Sequence, residues 1–242
     1  MLNYERFGSG PTAVFIHGFL GSSKIYDSVR HELAAYYDTI LIDFAGHGNS
    51  LTTEVEPNIY AYAQQIAEVL HHENVTSSTW IGHSMGGYIV LAALEKNIAT
   101  IEKAVLAYSS VSADDDTAKK KRDASIEKIE NEGKEAFVDG VIPNFFKNNT
   151  ATKNIETACQ IGYEASKKGL ITALQTMKER PNQEDLLTRL KLPILIIEGS
   201  EDGVVPSITT NNPTVIKVQT NTGHLGMMEE PEQFMQHLKS FI

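Results

Sequence analysis

The sequence predicts an α/β fold, a mostly parallel sheet of about seven strands with helices on both faces. Three observations carry this expectation. Short runs of Val, Ile and Leu recur along the chain, glycine-containing turns follow them, and segments with apolar residues at three- and four-residue spacing fill the intervals. At 242 residues and 41% hydrophobic content, the chain can bury one substantial core and carry a subordinate lobe.

Residues 2–7 precede Gly8-Ser9-Gly10-Pro11, a turn signal that makes them an antiparallel edge strand. Parallel strands are expected at 12–16, 39–42, 79–81, 103–107, 194–197 and 215–218, whose apolar runs without polar alternation suit strands covered on both faces. Helical periodicity marks 22–36, 59–72, 85–95 and 232–241. After Tyr108 come about eighty residues with no strand-like run, where a crossover between parallel strands needs only about a dozen. Helices at 118–131, 134–146, 151–168 and 170–179, punctuated by Gly133, Pro143, Gly169 and Pro181, predict a four-helix lid. The expected division is a core of residues 1–110 and 182–242 and a lid of residues 111–181.

Composition narrows the partners. A formal net charge of -10, from 31 acidic and 21 basic side chains, repels nucleic acid and anionic lipid and suits small, neutral or weakly charged ligands. The single cysteine, Cys159, excludes an internal disulfide and a cysteine-based zinc site. No apolar run approaches the ~20 residues of a membrane span, and residues 1–10 lack a signal-peptide pattern, so a cytoplasmic protein is expected; its expected state, monomer or homodimer, is not fixed by the sequence.

The chemistry is concentrated in loops that follow strands. Gly82-His83-Ser84-Met85-Gly86-Gly87 lies between a strand and a helix, the setting of a nucleophile elbow, in which Ser84 Oγ projects above the sheet edge at the positive end of the following helix. His17-Gly18-Phe19-Leu20-Gly21 follows an earlier strand, and backbone N–H groups of Phe19 and Met85 are the expected oxyanion-hole donors. A serine hydroxyl needs a base, and that base needs a carboxylate to fix its tautomer. Asp202, in Glu198-Gly199-Ser200-Glu201-Asp202-Gly203, and His224, in Thr222-Gly223-His224-Leu225-Gly226, each follow a later strand, in the chain order Ser, Asp, His. Open α/β sheets place their ligand sites on that edge.

With these motifs, the sequence resembles the α/β-hydrolase superfamily from about Asn3 to the C-terminus. Asp43-Phe44-Ala45-Gly46-His47-Gly48-Asn49-Ser50 is similar to the family's D-x-x-G-H-G-x-S turn, and Glu229-Glu230-Pro231-Glu232-Gln233-Phe234 to the opening of its last helix. The resemblance implies the family's eight-stranded sheet without its first strand, and a lid after family strand six. It also implies a carboxylesterase-like serine hydrolase acting on a small-molecule acyl substrate, with neither metal nor organic cofactor. Relatives with an aspartate nucleophile are disfavoured by Ser84. Carbon-carbon bond hydrolases and a menaquinone-pathway lyase use the same triad, although the lyase group usually carries Arg where this chain has Tyr88. A perhydrolase side activity and a non-catalytic small-molecule receptor are further alternatives.

Some relatives place the acid after family strand six, where this chain offers Ser109, Ser110 and Asp114; Asp114 heads an acidic run read as the start of a solvated helix. Lys119, Lys120, Lys121 and Arg122 read most simply as the wet face of that helix, with a docking patch for an acidic substrate as the alternative. In resembling proteins a histidine at the His17 position braces its loop, and His47, His83 and Asp43 read as turn-packing or turn-anchoring residues. Within the lid, Phe137, Val141, Phe145 and Phe146 have amphipathic spacing and are expected to line an apolar acyl or alcohol pocket.

Overall fold

A computed structural model describes residues 1–242. Seven strands, β1 (Asn3–Gly8), β2 (Thr12–Ile16), β3 (Asp38–Asp43), β4 (Ser78–His83), β5 (Ile101–Ala107), β6 (Ile194–Gly199) and β7 (Val215–Thr220), form one sheet in the order β1-β3-β2-β4-β5-β6-β7. β1 pairs antiparallel with β3 and every other pairing is parallel. β2 lies between β3 and β4, so the chain reverses its direction of travel across the sheet there. The carboxyl ends of β2 and β4 therefore flank the topological switch point, where open α/β sheets form their ligand crevice.

Ten α-helices accompany the sheet: α1 (Arg30–Tyr36), α2 (Ile59–His72), α3 (Met85–Lys96), α4 (Asp116–Glu132), α5 (Lys134–Val141), α6 (Thr152–Tyr163), α7 (Lys167–Glu179), α8 (Glu184–Arg189), α9 (Gly226–Glu229) and α10 (Pro231–Phe241). α2 buries Ile59, Tyr62, Ala63, Ile66, Val69 and Leu70, one stripe at helical spacing, and opens on an Asn58 cap accepting from Tyr60 N–H. α3 is buried all round from Met85 to Ala93, as expected of a helix enclosed by the protein on every side.

Several expectations require correction. Residues 22–36 do not form one helix: Ser23–Val29 is 3₁₀ and only Arg30–Tyr36 is α. The 134–146 segment divides at Pro143 into α5 and a 3₁₀ turn, Ile142–Phe145, because proline is tolerated at a helical start but not within an α-helix. α6 stops at Tyr163, and α7 starts at Lys167, where Ser166 caps it by accepting from Gly169 N–H. β7 is not covered on both faces but is the sheet edge, with Ile216 exposed at 56%. The short helices α8 and α9 are unpredicted. No helix is long and apolar enough to cross a membrane.

The junction of β2, β4 and α3 depends on two glycines. A Cβ on Gly86 would lie 2.2 Å from the Ile16 carbonyl oxygen, and one on Gly82 would lie 2.4 Å from the Gly86 backbone. Both obstacles are main-chain atoms of packed elements and cannot swing aside. Gly86→Ala is therefore expected to destabilise the protein by about 3 kcal/mol, read as a lowered urea midpoint at unchanged slope. A loss within about 0.5 kcal/mol, typical of an unconstrained site, would show that this packing tolerates expansion.

Candidate active site

Ser84 forms the turn from β4 into α3 with φ 51° and ψ -116°, a strained combination for a residue with a side chain. The turn is held by Ser84 N–H donating to Ala107 O at 2.9 Å and by Ser109 Oγ donating to Ser84 O at 2.8 Å. Strain maintained by such contacts directs Ser84 Oγ towards His224, whose Nε2 lies 2.8 Å away. His224 Nδ1 is 2.8 Å from Asp202 Oδ2. Asp202 Oδ1 accepts from the N–H groups of Val204 at 2.8 Å and Val205 at 3.3 Å.

These contacts fix the protons. An ionised Asp202 only accepts, so His224 Nδ1 carries hydrogen and Nε2 is free to accept from the Ser84 hydroxyl. Burial favours a protonated Asp202, but the hydrogen bond from His224 and the two backbone donors outweigh it and lower its pKa. The His224 and Asp202 side chains are only 2% and 5% exposed. Both therefore sit in a setting where water screens little.

The main chain of His224 is held from two sides. His83 Nε2–H donates to its carbonyl at 2.9 Å, while its N–H donates to Phe145 O at 2.6 Å. The Phe145 ring meets the imidazole edge-on at 5.3 Å. Glu229 joins the same two segments, accepting from Gly223 N–H at 2.6 Å and from Lys147 N–H at 3.0 Å. Sequence reading missed these contacts of Glu229, Ser109 and His83, because their partners are main-chain atoms, most of them far away in the chain. Glu229→Gln keeps one acceptor oxygen for two N–H groups, so we expect about a tenfold loss in kcat with little change in KM, one weakened charge-assisted bond acting through His224. A change confined to KM would mean that the link positions substrate instead.

Phe19 and Met85 flank Ser84 from the loops after β2 and β4. Met85 opens α3, so its N–H lacks an intrahelical acceptor, and the Phe19 N–H has no acceptor in the chain. His17 stacks on Phe44 at 3.9 Å and accepts at Nε2 from Phe44 N–H at 3.2 Å, bracing this loop. Asp43 ties the turn that follows it to the segment after β2, accepting from Asn49 N–H at 2.9 Å and from Ser23 N–H at 2.7 Å.

Burial lowers the pKa of His17 to about 4 and those of His47 and His83 to about 3. In the unfolded chain each titrates near ~6.5. Between these limits the unfolded state binds more protons, so stability falls as pH drops below about 6.5. The loss approaches about 1.4 kcal/mol per pH unit for each histidine. Urea midpoints at pH 7, 6 and 5 should fall in sequence; a flat series would contradict neutral burial.

Ser84, His224 and Phe19 open onto a cavity of about 610 Å³ that Phe137, Val141 and Phe145 also line. Phe146 does not line it. The 3₁₀ turn ends at Phe145 and Phe146 is extended, a geometry in which successive side chains face opposite ways. Leu174, Met177, Tyr88 and Arg180 join the wall instead. Asp114 is not solvated: its side chain is 5% exposed and paired with Arg180 and Arg122. Lys121 and Arg122 face the cavity, correcting the expectation of a uniformly wet helix face.

The chain belongs to the alpha/beta hydrolase family, whose model matches residues 13–237. It is 23% identical to a pimeloyl-[acyl-carrier protein] methyl ester esterase of Vibrio vulnificus, over 99% of this chain and 97% of that one. An uncharacterized hydrolase of Bacillus subtilis, YugF, is 28% identical over 96% of this chain and 89% of its own length. Among solved structures, a thermophilic esterase from Thermogutta terrifontis superimposes with a TM-score of 0.91 at 26% identity, covering 99% of this chain and 92% of that one.

Proposed function

We propose that this protein is a serine hydrolase that cleaves carboxylic esters of small molecules through an acyl-enzyme. One observation carries the reading: the unbroken hydrogen-bonded series Asp202, His224, Ser84 at the wall of a partly open cavity. The esterases among its relatives support the same chemistry.

In this mechanism His224 Nε2 takes the Ser84 proton as Oγ attacks the ester carbonyl. The Phe19 and Met85 N–H groups receive the carbonyl oxygen as it becomes an oxyanion. Asp202 stabilises the imidazolium, which then protonates the departing alcohol. Water, deprotonated by the same imidazole, cleaves the acyl-enzyme and restores Ser84. The segment 111–181 acts as a lid over the core formed by 1–110 and 182–242; Phe137, Val141 and Phe145 form the apolar part of the substrate pocket, and Phe146 supports it from outside.

A panel of p-nitrophenyl esters from acetate to laurate tests the proposal. Turnover should be found within the panel and should disappear after one equivalent of a serine-directed sulfonyl fluoride has reacted. Absence of turnover throughout, or turnover that survives full modification, would refute it.

A further inference from the structure

The cavity wall is not apolar throughout. Lys121 and Arg122 from α4 and Arg180 after α7 line it, against the carboxylates of Asp114 and Asp115. In a chain of net charge -10, three cations to two carboxylates on one cavity is a local reversal of sign.

The cluster is built, not accidental. Arg180 Nη1 donates to Asp114 Oδ1 at 2.6 Å and to Met177 O at 2.7 Å, and Nη2 donates to Ser112 O at 2.8 Å. Arg122 Nε donates to the other Asp114 oxygen at 3.0 Å. One carboxylate thus fixes two guanidinium groups, and Asp115 is committed to capping α4 through Ala118 N–H at 2.7 Å. Donors remain in excess. The buried Arg180 Nε has no partner, and neither the terminal Arg122 nitrogens nor Lys121 Nζ has an acceptor in the chain.

The cluster is also close to the serine. Ser84, Tyr88, Lys121, Arg122 and Arg180 all line the same cavity of about 610 Å³, and the Arg180 guanidinium lies 4.3 Å from the centre of the Tyr88 ring. A substrate that fills this cavity can therefore meet both Ser84 and the α4 cations.

We propose that the cavity takes an ester that also bears a carboxylate, held by the terminal Arg122 nitrogens and Lys121 while the ester carbonyl meets Ser84. This rests on the ester-hydrolase reading above and names its substrate class. A guanidinium whose two terminal nitrogens are free matches a carboxylate in shape and charge. The carboxylate belongs to the acyl side, as in a half-ester of a dicarboxylic acid, or to the alcohol side, as in an acylated hydroxy acid.

Calorimetric titration of Ser84→Ala protein separates these points. The probes are monoethyl suberate, its neutral terminal amide, and the butyryl ester of 4-hydroxybutyrate with its corresponding amide. A carboxylate should bind about tenfold or more tightly than its amide in at least one pair, and that pair identifies the side. The advantage should shrink with added salt, fall in Lys121→Met, vanish in Arg122→Gln combined with Lys121→Met, and persist in Lys120→Met. Equal binding of acid and amide in both pairs, or an advantage that survives the double substitution, would overturn the proposal. Carboxylate binding with this pattern, without turnover of the same ester by the unsubstituted protein, would support the anion site and refute ester hydrolysis.

Discussion

Ser84→Ala should lower kcat/KM for a p-nitrophenyl ester by about 10⁴-fold or more, leaving only the residual acceleration due to oxyanion donors and substrate binding. The fold should survive. Alanine keeps the Cβ and the strained φ of 51°, and the turn is held by backbone and Ser109 contacts that the substitution leaves alone. What is lost is one hydrogen bond to His224, so stability should change by about 1 kcal/mol or less. Rates for purified variant and parent on the same ester, beside their urea midpoints, provide the test. A variant retaining a tenth of the activity would show that Ser84 is not the nucleophile.

Asp202→Asn should be nearly as damaging, about 10⁴-fold in kcat, for a reason visible in the hydrogen bonds. Asp202 Oδ1 is already claimed by the Val204 and Val205 N–H groups. The single oxygen of asparagine will stay with those donors, which turns its NH₂ towards His224. Nδ1 must then accept, the ring proton moves to Nε2, and His224 can no longer take the Ser84 proton. The imidazolium also loses its counter-charge. A loss below tenfold would show that tautomer control by Asp202 is unimportant.

The strands of the central sheet are legible in the sequence because a strand covered on both faces leaves an unbroken apolar run. β7 misleads, since Val215, Ile216 and Val218 read as interior although β7 forms the exposed sheet edge. The 3₁₀ stretch Ser23–Val29 is hidden because apolar spacing of three residues suits either helix type. The rim where Ser84, Asp202 and His224 meet is legible for a topological reason: each follows a parallel strand, and parallel strands end on one edge.

The surroundings of that rim are far less legible. Asp114 looks solvated in an acidic run, yet one of its partners, Arg180, lies 66 residues away. Phe145 and Phe146 both read as part of one apolar helix face, and they diverge because the helical turn ends between them. His224 is held through main-chain atoms of Phe145, and main-chain contacts leave no mark on residue type. Patterns along the chain therefore reveal which loops converge, while the details of the pocket depend on contacts between distant segments.

In the proposed reaction Ser84 carries the acyl group between the two halves of the cycle. Rapid acid quenching during turnover of a slowly deacylating ester, followed by intact-mass and peptide mass measurement, tests this most directly. One acyl mass per chain is expected, on the peptide containing Ser84. Acyl groups found on another residue, or continued ester cleavage with no adduct even when chemical release of product is rate-limiting, would contradict it.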